Sequence, residues 1–535
     1  MIIKNISSLE KVFKNDGINK FKKFNYTKAL RNEVISYQIV LKSNLSRKLK
    51  IINGNKFVSV RLVGYVPSNK PVFKEKYDQY YITDKPGLFP DVLYENIDTI
   101  EIGKVNTTLW ISFNTNDLKV SDNNIVIEFR DVDTGEKYKS SFTVNVVDKK
   151  LPDSDLIYSD WLYADCIANY YNLEIKSDEH WRWIDKYINK ASQLGINMML
   201  TPIFTLPLDT VVGGERPTFQ LVNIESKDGK YSFDFTDFEK WVNICIKNKI
   251  KYFEIGHLFT QWGAKFCPKV VVKENGRYIN KFGWNVSAKS TEYCDFLKQF
   301  LPQFDKELEK MGIADCTYFH ISDEPSIDDI DNYRYAYDLV SSILNKKYKI
   351  IDALSNIEFY DKKIIVTPVP ATSKYAPFFD KKIKERWCYY CGYNSNLVSN
   401  RLFAMPSYRN RIFGTQLYYM GFKGFFHWGF NFYNNQFSKK AINPFLVTDG
   451  ENWIPSGDAF IVYPGADCVL DSIRGMVFLE GLQDRMLLKL LEKKIGFSEV
   501  KKIIEKYSAG IIDFKTYPHS IEFIYQLRNA IIDIL

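Results

Sequence analysis

TYFHISDEP, residues 317–325, opens as a buried apolar strand and closes on two neighbouring carboxylates and a proline. A sheet that stops at Asp323 and Glu324 places titratable groups where strand gives way to loop, the usual seat of chemistry on an α/β scaffold. The plain alternative is a solvated Asp-Glu-Pro turn that caps the following helix. The surrounding chain decides between the two.

On both sides of this stretch strands and helices alternate. Eight strand candidates can be counted: YSDWLYADCI from Tyr158, INMMLTPIF from Ile196, IKYFEIGHL from Ile250, TYFHISDEP from Thr317, KIIDAL from Lys349, IIVTPVP from Ile364, RWCYYCGY from Arg386 and GFFHWGFN from Gly424. Helical stretches separate most of them, among them HWRWIDKYINKASQLG, FTDFEKWVNICIKN, TEYCDFLKQFLPQFDKELEKMG, SIDDIDNYRYAYDLVSSIL, FFDKKIKER and SNRLFAMPSYRNRIFGTQLYYMG. SIRGMVFLEGLQDRMLLKLLEKK closes the series. The fold class expected is α/β, a (β/α)8 TIM-like barrel over residues 155–490. Its weakest unit is the fifth, where SNIEFYDK leaves little room for a helix.

In such a barrel the carboxyl ends of the strands share one mouth. That gathers Asp165, Pro202, His257, Asp323, Glu324, Asp352, Tyr389, Tyr390, Tyr393, His427, Trp428 and Asn431. Two long connections, 205–232 and 257–284, fall on the same side and read as loops without their own periodicity, suited to lids or binding walls. Residues 432–466 make a third wall. His180 and His519 read as structural.

Residues 1–150 alternate apolar and polar through VISYQIVLK, KFVSVRLVGYV, TTLWISFNT, NNIVIEFRDV and KSSFTVNVV, split by Asn, Asp and Gly turns. This predicts an all-β sandwich that steadies the next domain, with carbohydrate binding as the functional alternative. DKKLPD, 148–153, reads as the linker, and 491–535 as a C-terminal helical extension packed on the barrel.

At 535 residues the chain needs more than one core. Its 39 Phe, 35 Tyr and 10 Trp, 16% of the residues, are enough to fill cores and still line a site with ring faces on which sugars stack. The net charge of +8 is spread over 72 basic and 64 acidic residues, with no nucleic-acid footprint. No apolar run is long enough to span a bilayer, the N-terminus is broken by charge, and eight scattered cysteines make no disulfide framework, so a cytoplasmic location is expected. The Cys388–Cys391 pair lacks a second pair at zinc spacing. No cofactor and no metal are expected, and oligomeric state is left open.

Paired carboxylates at one mouth fit glycosidic hydrolysis, in which one group donates a proton to the leaving oxygen and the other stays charged to support positive charge on the sugar. Two close carboxylates split their titrations. Successive strand residues face opposite ways, so Asp323 and Glu324 converge only where the strand has already broken, and Pro325 favours that break.

HISDEP at 320–325, EIGHLFTQWGA at 254–264, WCYYCGYNSN at 387–396, SNRLFAMPSYRNRIFGTQLY at 399–418, GFFHWGFNFY at 424–433 and SGDAFIVYPG at 456–465 together resemble glycoside hydrolase family 123. The resemblance implies exo-hydrolysis of terminal β-linked N-acetylgalactosamine from an oligosaccharide or glycoconjugate. The mechanism implied is retaining and substrate-assisted, with the 2-acetamido oxygen as nucleophile. Asp323 would orient the acetamido group and Glu324 would serve as general acid and base. Trp428, Tyr389 and Trp262 are expected as an apolar floor for the sugar ring. Asp209, Arg216, His257 and Asn431 are expected on its hydroxyls, with His320 as an orienter behind them.

Two rival readings stand beside this one. A metal-dependent barrel hydrolase or isomerase would use His257, His320, Glu254 and Asp323, whose spacing matches no metal motif. A non-catalytic glycan-binding protein would keep the pocket without needing both acids.

Overall fold

The computed structural model describes residues 1–535. They form two compact units. One comprises Met1–Asp155, Ser395–Gly421 and Pro444–Leu535; the other comprises Leu156–Asn394 and Phe422–Asn443.

The second unit holds the barrel. Its eight strands are Ile157–Asp160, Met198–Thr201, Tyr252–Ile255, Thr317–Phe319, Lys349–Ala353, Thr367–Val369, Trp387–Tyr389 and Gly424–His427. The first six pair in chain order, the eighth pairs with both first and seventh, and a parallel bridge from Ala371 to Tyr389 joins the two ends. All pairings are parallel. Every residue of the strands Ile157–Asp160, Met198–Thr201, Thr317–Phe319, Thr367–Val369, Trp387–Tyr389 and Gly424–His427 is buried, the pattern of strands covered on both faces.

The helices that follow have readable causes. Asp178–Gln193 starts where the Ser177 side chain accepts from His180 N–H, with Asp178 and Glu179 in the first turn, and it buries Trp181, Trp183, Ile184, Tyr187 and Ile188. Thr291–Lys310 is capped by Ser290 and lays Phe296, Phe300 and Phe304 in a ladder with ring centroids 5.9 and 5.2 Å apart. Thr236–Lys247 and Ile330–Ile343 complete the regular helices after the second and fourth strands.

Several expectations are corrected. The fifth unit is not among them: after its strand there is only one helical turn, Glu358–Asp361, as the short connection led one to expect. FFDKKIKER forms no helix; two 3-10 turns, Thr372–Lys374 and Ala376–Phe378, precede an irregular run. That run offers burial only to Phe378 and Ile383, too little for an apolar face. The helix expected from Ser399 begins at Ser407, because Pro406 stands at its N-cap and cannot lie inside it. The two long connections are not structureless. They carry the strands Asn223–Lys227, Lys230–Asp234, Val270–Glu274 and Arg277–Phe282, which form one four-stranded sheet.

In the first unit ten strands make two five-stranded sheets, with a shared core that includes Tyr37, Ile39, Leu109, Ile111, Ile127, Phe129, Phe142 and Val144. The expected linker is partly strand, since Lys137–Lys150 runs through it. The last helix of the tail, Ile521–Ile534, bonds to residues of the first unit: Arg528 pairs with Glu33 and Asp484, and Tyr525 with Ser7. A buried guanidinium must follow its carboxylates, and these lie on the sandwich and on the helix Ile473–Ile495.

Trp387 and Gly424 are register partners on the seventh and eighth strands, and a Cβ at Gly424 would lie 2.2 Å from the Trp387 ring. Gly424→Ala is therefore expected to destabilise the protein by about 1–3 kcal/mol, the usual cost of overpacking a core, measured as a lowered midpoint in denaturant.

Candidate active site

The fourth strand ends at Phe319, but the chain beyond it stays pinned on both sides. His320 and Ile321 carbonyls accept from Leu258 and Phe259 N–H at 3.2 and 3.0 Å, and the Asp323 carbonyl accepts from Trp262 N–H at 2.7 Å. On the other side Glu324 N–H donates to the Ala353 carbonyl at 3.1 Å. The Ser322 hydroxyl donates to the Thr260 carbonyl at 2.8 Å. Glu324 takes a left-handed φ of 43°, so the strand alternation is broken at the pair, as convergence of the acids requires.

The two acids have different surroundings. Asp323 is half-buried and Glu324 exposed. Burial, then the adjacent Glu324, holds the Asp323 carboxyl well above the usual carboxylate range, while His320 pulls the other way. Glu324 accepts a hydrogen bond from the Tyr389 hydroxyl. Burial, then Glu324, keeps that phenol well above its ordinary pKa, so it remains a donor.

Beneath the pair lies a buried polar network. His320 places Nε2 2.6 Å from Glu254 Oε1 and Nδ1 3.0 Å from Asp352 Oδ1. Glu254 also accepts from Trp161 Nε1 at 2.9 Å and from the Ser159 hydroxyl. Asp352 also accepts from Ile321 N–H at 3.0 Å and the Tyr333 hydroxyl at 2.6 Å. Burial alone would lower the His320 pKa, but its bonds to Asp352 and Glu254 raise it to about 10. His257 stacks on His320 with ring centroids 4.4 Å apart. Burial and then that neighbour hold His257 well below the usual histidine range, and both its nitrogens lack protein partners. Ligand atoms of His257, His320 and Asp352 lie within 4.8 Å of one another. Both His320 nitrogens already face carboxylates, so neither is left to ligate a metal.

The remaining expected residues divide. Arg216 is buried and committed to protein: Nε and Nη2 donate to Asp165 and Nη1 to the Leu208 carbonyl. Asn431 is fully buried, accepting from Tyr163 N–H at 2.8 Å and donating to the Tyr163 carbonyl at 3.1 Å. Both hold the start of the helix Ala164–Tyr171, and the polar atoms that do so are engaged within the protein. Asp209 joins three loops: its N–H donates to Gln261, its carboxylate accepts from Phe437 N–H, and its carbonyl accepts from Ser438. Burial raises its pKa to about 7 against the pull of Arg216. Trp262 is 39% exposed, at a φ of 59° and edge-on to Phe437. Tyr389 stacks on Phe426 and points its hydroxyl at Glu324; Trp428 is half-buried against Phe432.

Asp209, Trp262, Ala264, Glu324, Phe437 and Ser438 all have positive φ without being glycine. Such strain gathers at functional sites. Residues 161–491 match the family model of the glycoside hydrolase 123 catalytic domain. The chain belongs to glycoside hydrolase family 123. As a member it is a glycosidase, with the barrel as its catalytic region. A family 123 glycoside hydrolase from Clostridium perfringens, studied for glycolipid glycan hydrolysis, shares the fold at a TM-score of 0.73 and 16% identity, over 100% of this chain and 98% of that one. An endo-β-1,4-mannanase from Thermotoga petrophila matches at a TM-score of only 0.35 and 11% identity, over 62% of this chain and 77% of its own. A Bacteroides uniformis β-glucuronidase matches at 0.30 and 9%, over 81% and 47%. Comparison with curated proteins matched none. No helix of the hydrolase is long and apolar enough to cross a membrane, and its eight cysteines are free.

If Arg216 serves the protein and not the substrate, Arg216→Leu strands the buried Asp165 carboxylate. The expected loss is about 3–5 kcal/mol of stability in equilibrium unfolding. A variant with unchanged stability but a raised KM would return Arg216 to the sugar.

Proposed function

We propose that the enzyme removes terminal β-linked N-acetylgalactosamine, or a related N-acetylhexosamine, from oligosaccharides or glycoconjugates, glycolipids among them, by a retaining, substrate-assisted mechanism. The observation that carries this reading is the contrast between two consecutive acids: Asp323 half-buried, Glu324 exposed with a tyrosine hydroxyl on its carboxylate. A leaving group and an incoming water reach the exposed acid; an acetamido arm reaches the deeper one.

In the first step the acetamido carbonyl oxygen attacks the anomeric carbon as the glycosidic C–O bond breaks, and Glu324 gives its proton to the departing oxygen. Asp323 accepts from the acetamido N–H and faces the positive charge of the oxazolinium-like ring. In the second step water attacks the same carbon from the face the leaving group vacated, Glu324 takes its proton, and the acetamido group is restored. Two displacements give retention, and no carboxylate spacing rule applies because the substrate supplies the nucleophile.

The surroundings of Asp323 suit this role. Its ionised form is costly until a cation appears beside it, so it favours the charged intermediate over the neutral substrate, which is where binding energy accelerates a reaction. Tyr389 orients Glu324. His257 is neutral and both its buried nitrogens lack protein partners, which supports a role on a sugar hydroxyl, and Trp428 and Trp262 offer ring faces. The free thiols agree with action in a reducing compartment, and a cytoplasmic location is part of the proposal.

Asp323→Asn is expected to lower kcat on nitrophenyl β-N-acetylgalactosaminide by at least about a hundredfold. Glu324→Gln should lose about 10²–10⁴-fold on substrates with poor leaving groups and far less on nitrophenyl glycosides. Equal cleavage of a 2-hydroxy galactoside and its 2-acetamido counterpart would refute the substrate-assisted step.

A further inference from the structure

We propose that His320 is a permanently charged imidazolium that acts as a positioning residue for Asp323, its cation offsetting the carboxylates gathered around that acid. The inference rests on the role given to Asp323 above and deepens it. It begins from hydrogen-bond direction. Glu254 accepts from Trp161 and Ser159, Asp352 accepts from Ile321 and Tyr333, and the two ring nitrogens of His320 lie 2.6 and 3.0 Å from these same carboxylates. Each carboxyl thus already accepts from two other donors and presents an acceptor oxygen to the ring; burial raises the Asp352 pKa, and the bonds from His320, Tyr333 and Ile321 oppose that rise. With an acceptor on either side, both ring nitrogens of His320 must carry protons, and a ring protonated at both is a cation. All three side chains are fully buried, so no solvent screens the arrangement.

His320 lies three residues before Asp323 on a segment held by backbone bonds to the third barrel strand's loop and by Asp352 at Ile321. The charges that act on Asp323 most strongly are Glu324, His320, Asp352 and Asp209, and of these His320 alone is positive. Those facing His320 are Glu254 and Asp352, with the neutral ring of His257 stacked on its face and Trp161 edge-on. Removing the cation leaves Asp323 among like charges, which favours its neutral form. A neutral carboxyl cannot answer the positive charge of the intermediate. His320 touches no substrate in this scheme; it works through Asp323.

The test uses the full chain, whose five histidines make labelled-histidine NMR tractable. In the wild type, one buried histidine should keep both ring nitrogens protonated at about pH 8, where an ordinary histidine, with a pKa of about 6.5, is neutral. Its assignment comes from loss of the signal in His320→Gln. In that variant, carboxyl-detected titration of Asp323 should move upward by about one pH unit or more, and the acidic limb of kcat should move with it while KM changes little. If none of the five histidines is protonated at both ring nitrogens at that pH, the proposal is overturned, even where His320→Gln fails to fold. So does an unshifted Asp323 titration in a folded variant. Both NMR readings need no substrate, so they stand or fall separately from the assigned reaction.

Discussion

The site depends on a strand that stops early and is nonetheless held. Thr317–Phe319 leaves the sheet after three residues, yet the chain to Glu324 is fixed by backbone bonds from residues 258, 259 and 262 on one side and by Ala353 on the other. A continued strand would send Asp323 and Glu324 to opposite faces. A free loop would leave them without a defined relation. The pinned break gives the pair a fixed geometry at the cost of a left-handed Glu324, whose strain the flanking bonds sustain.

From that break the electrostatics follow. The segment carries one histidine inward and two acids toward the mouth, so ionisable groups are layered in depth: Glu254 and Asp352 around His320, then the half-buried Asp323, then the exposed Glu324. Buried charge is tolerated only when paired and hydrogen-bonded. Here the deep layer is satisfied within itself, while the Asp323 carboxyl above it is held well above the usual carboxylate range by burial and by Glu324. The loops above are tied separately, through Asp209 to Gln261, Phe437 and Ser438.

Much of this was legible in the sequence. The eight barrel strands stood out as short, mainly apolar runs, and DEP after one of them marked the place where the strand breaks, because Pro ends a ladder and adjacent acids are costly in a core. The five sandwich strands that could be read were those with clean alternation. What escaped depended on distant partners. Arg216 and Asp165 lie 51 residues apart, and Asn431 and Tyr163 lie 268 apart, so nothing local showed that these polar groups were spoken for. Glu254 and Asp352 were visible as acids at strand ends, but only the fold shows that they clasp His320. The hairpins inside the long connections hid because their exposed strands, such as Arg277–Phe282, lack an apolar face. The lysine-rich FFDKKIKER looked helical by propensity, which yields when there is nothing to bury.

The central claim is that Asp323 and Glu324 serve a reaction in which the substrate's own acetamido oxygen closes on the anomeric carbon. The most direct measurement is the inhibition constant of the cyclised thiazoline analogue of N-acetylgalactosamine, a stable mimic of that ring. The account predicts binding at least about a hundredfold tighter than N-acetylgalactosamine itself, with the advantage lost in Asp323→Asn. Binding no tighter than the free sugar would contradict it.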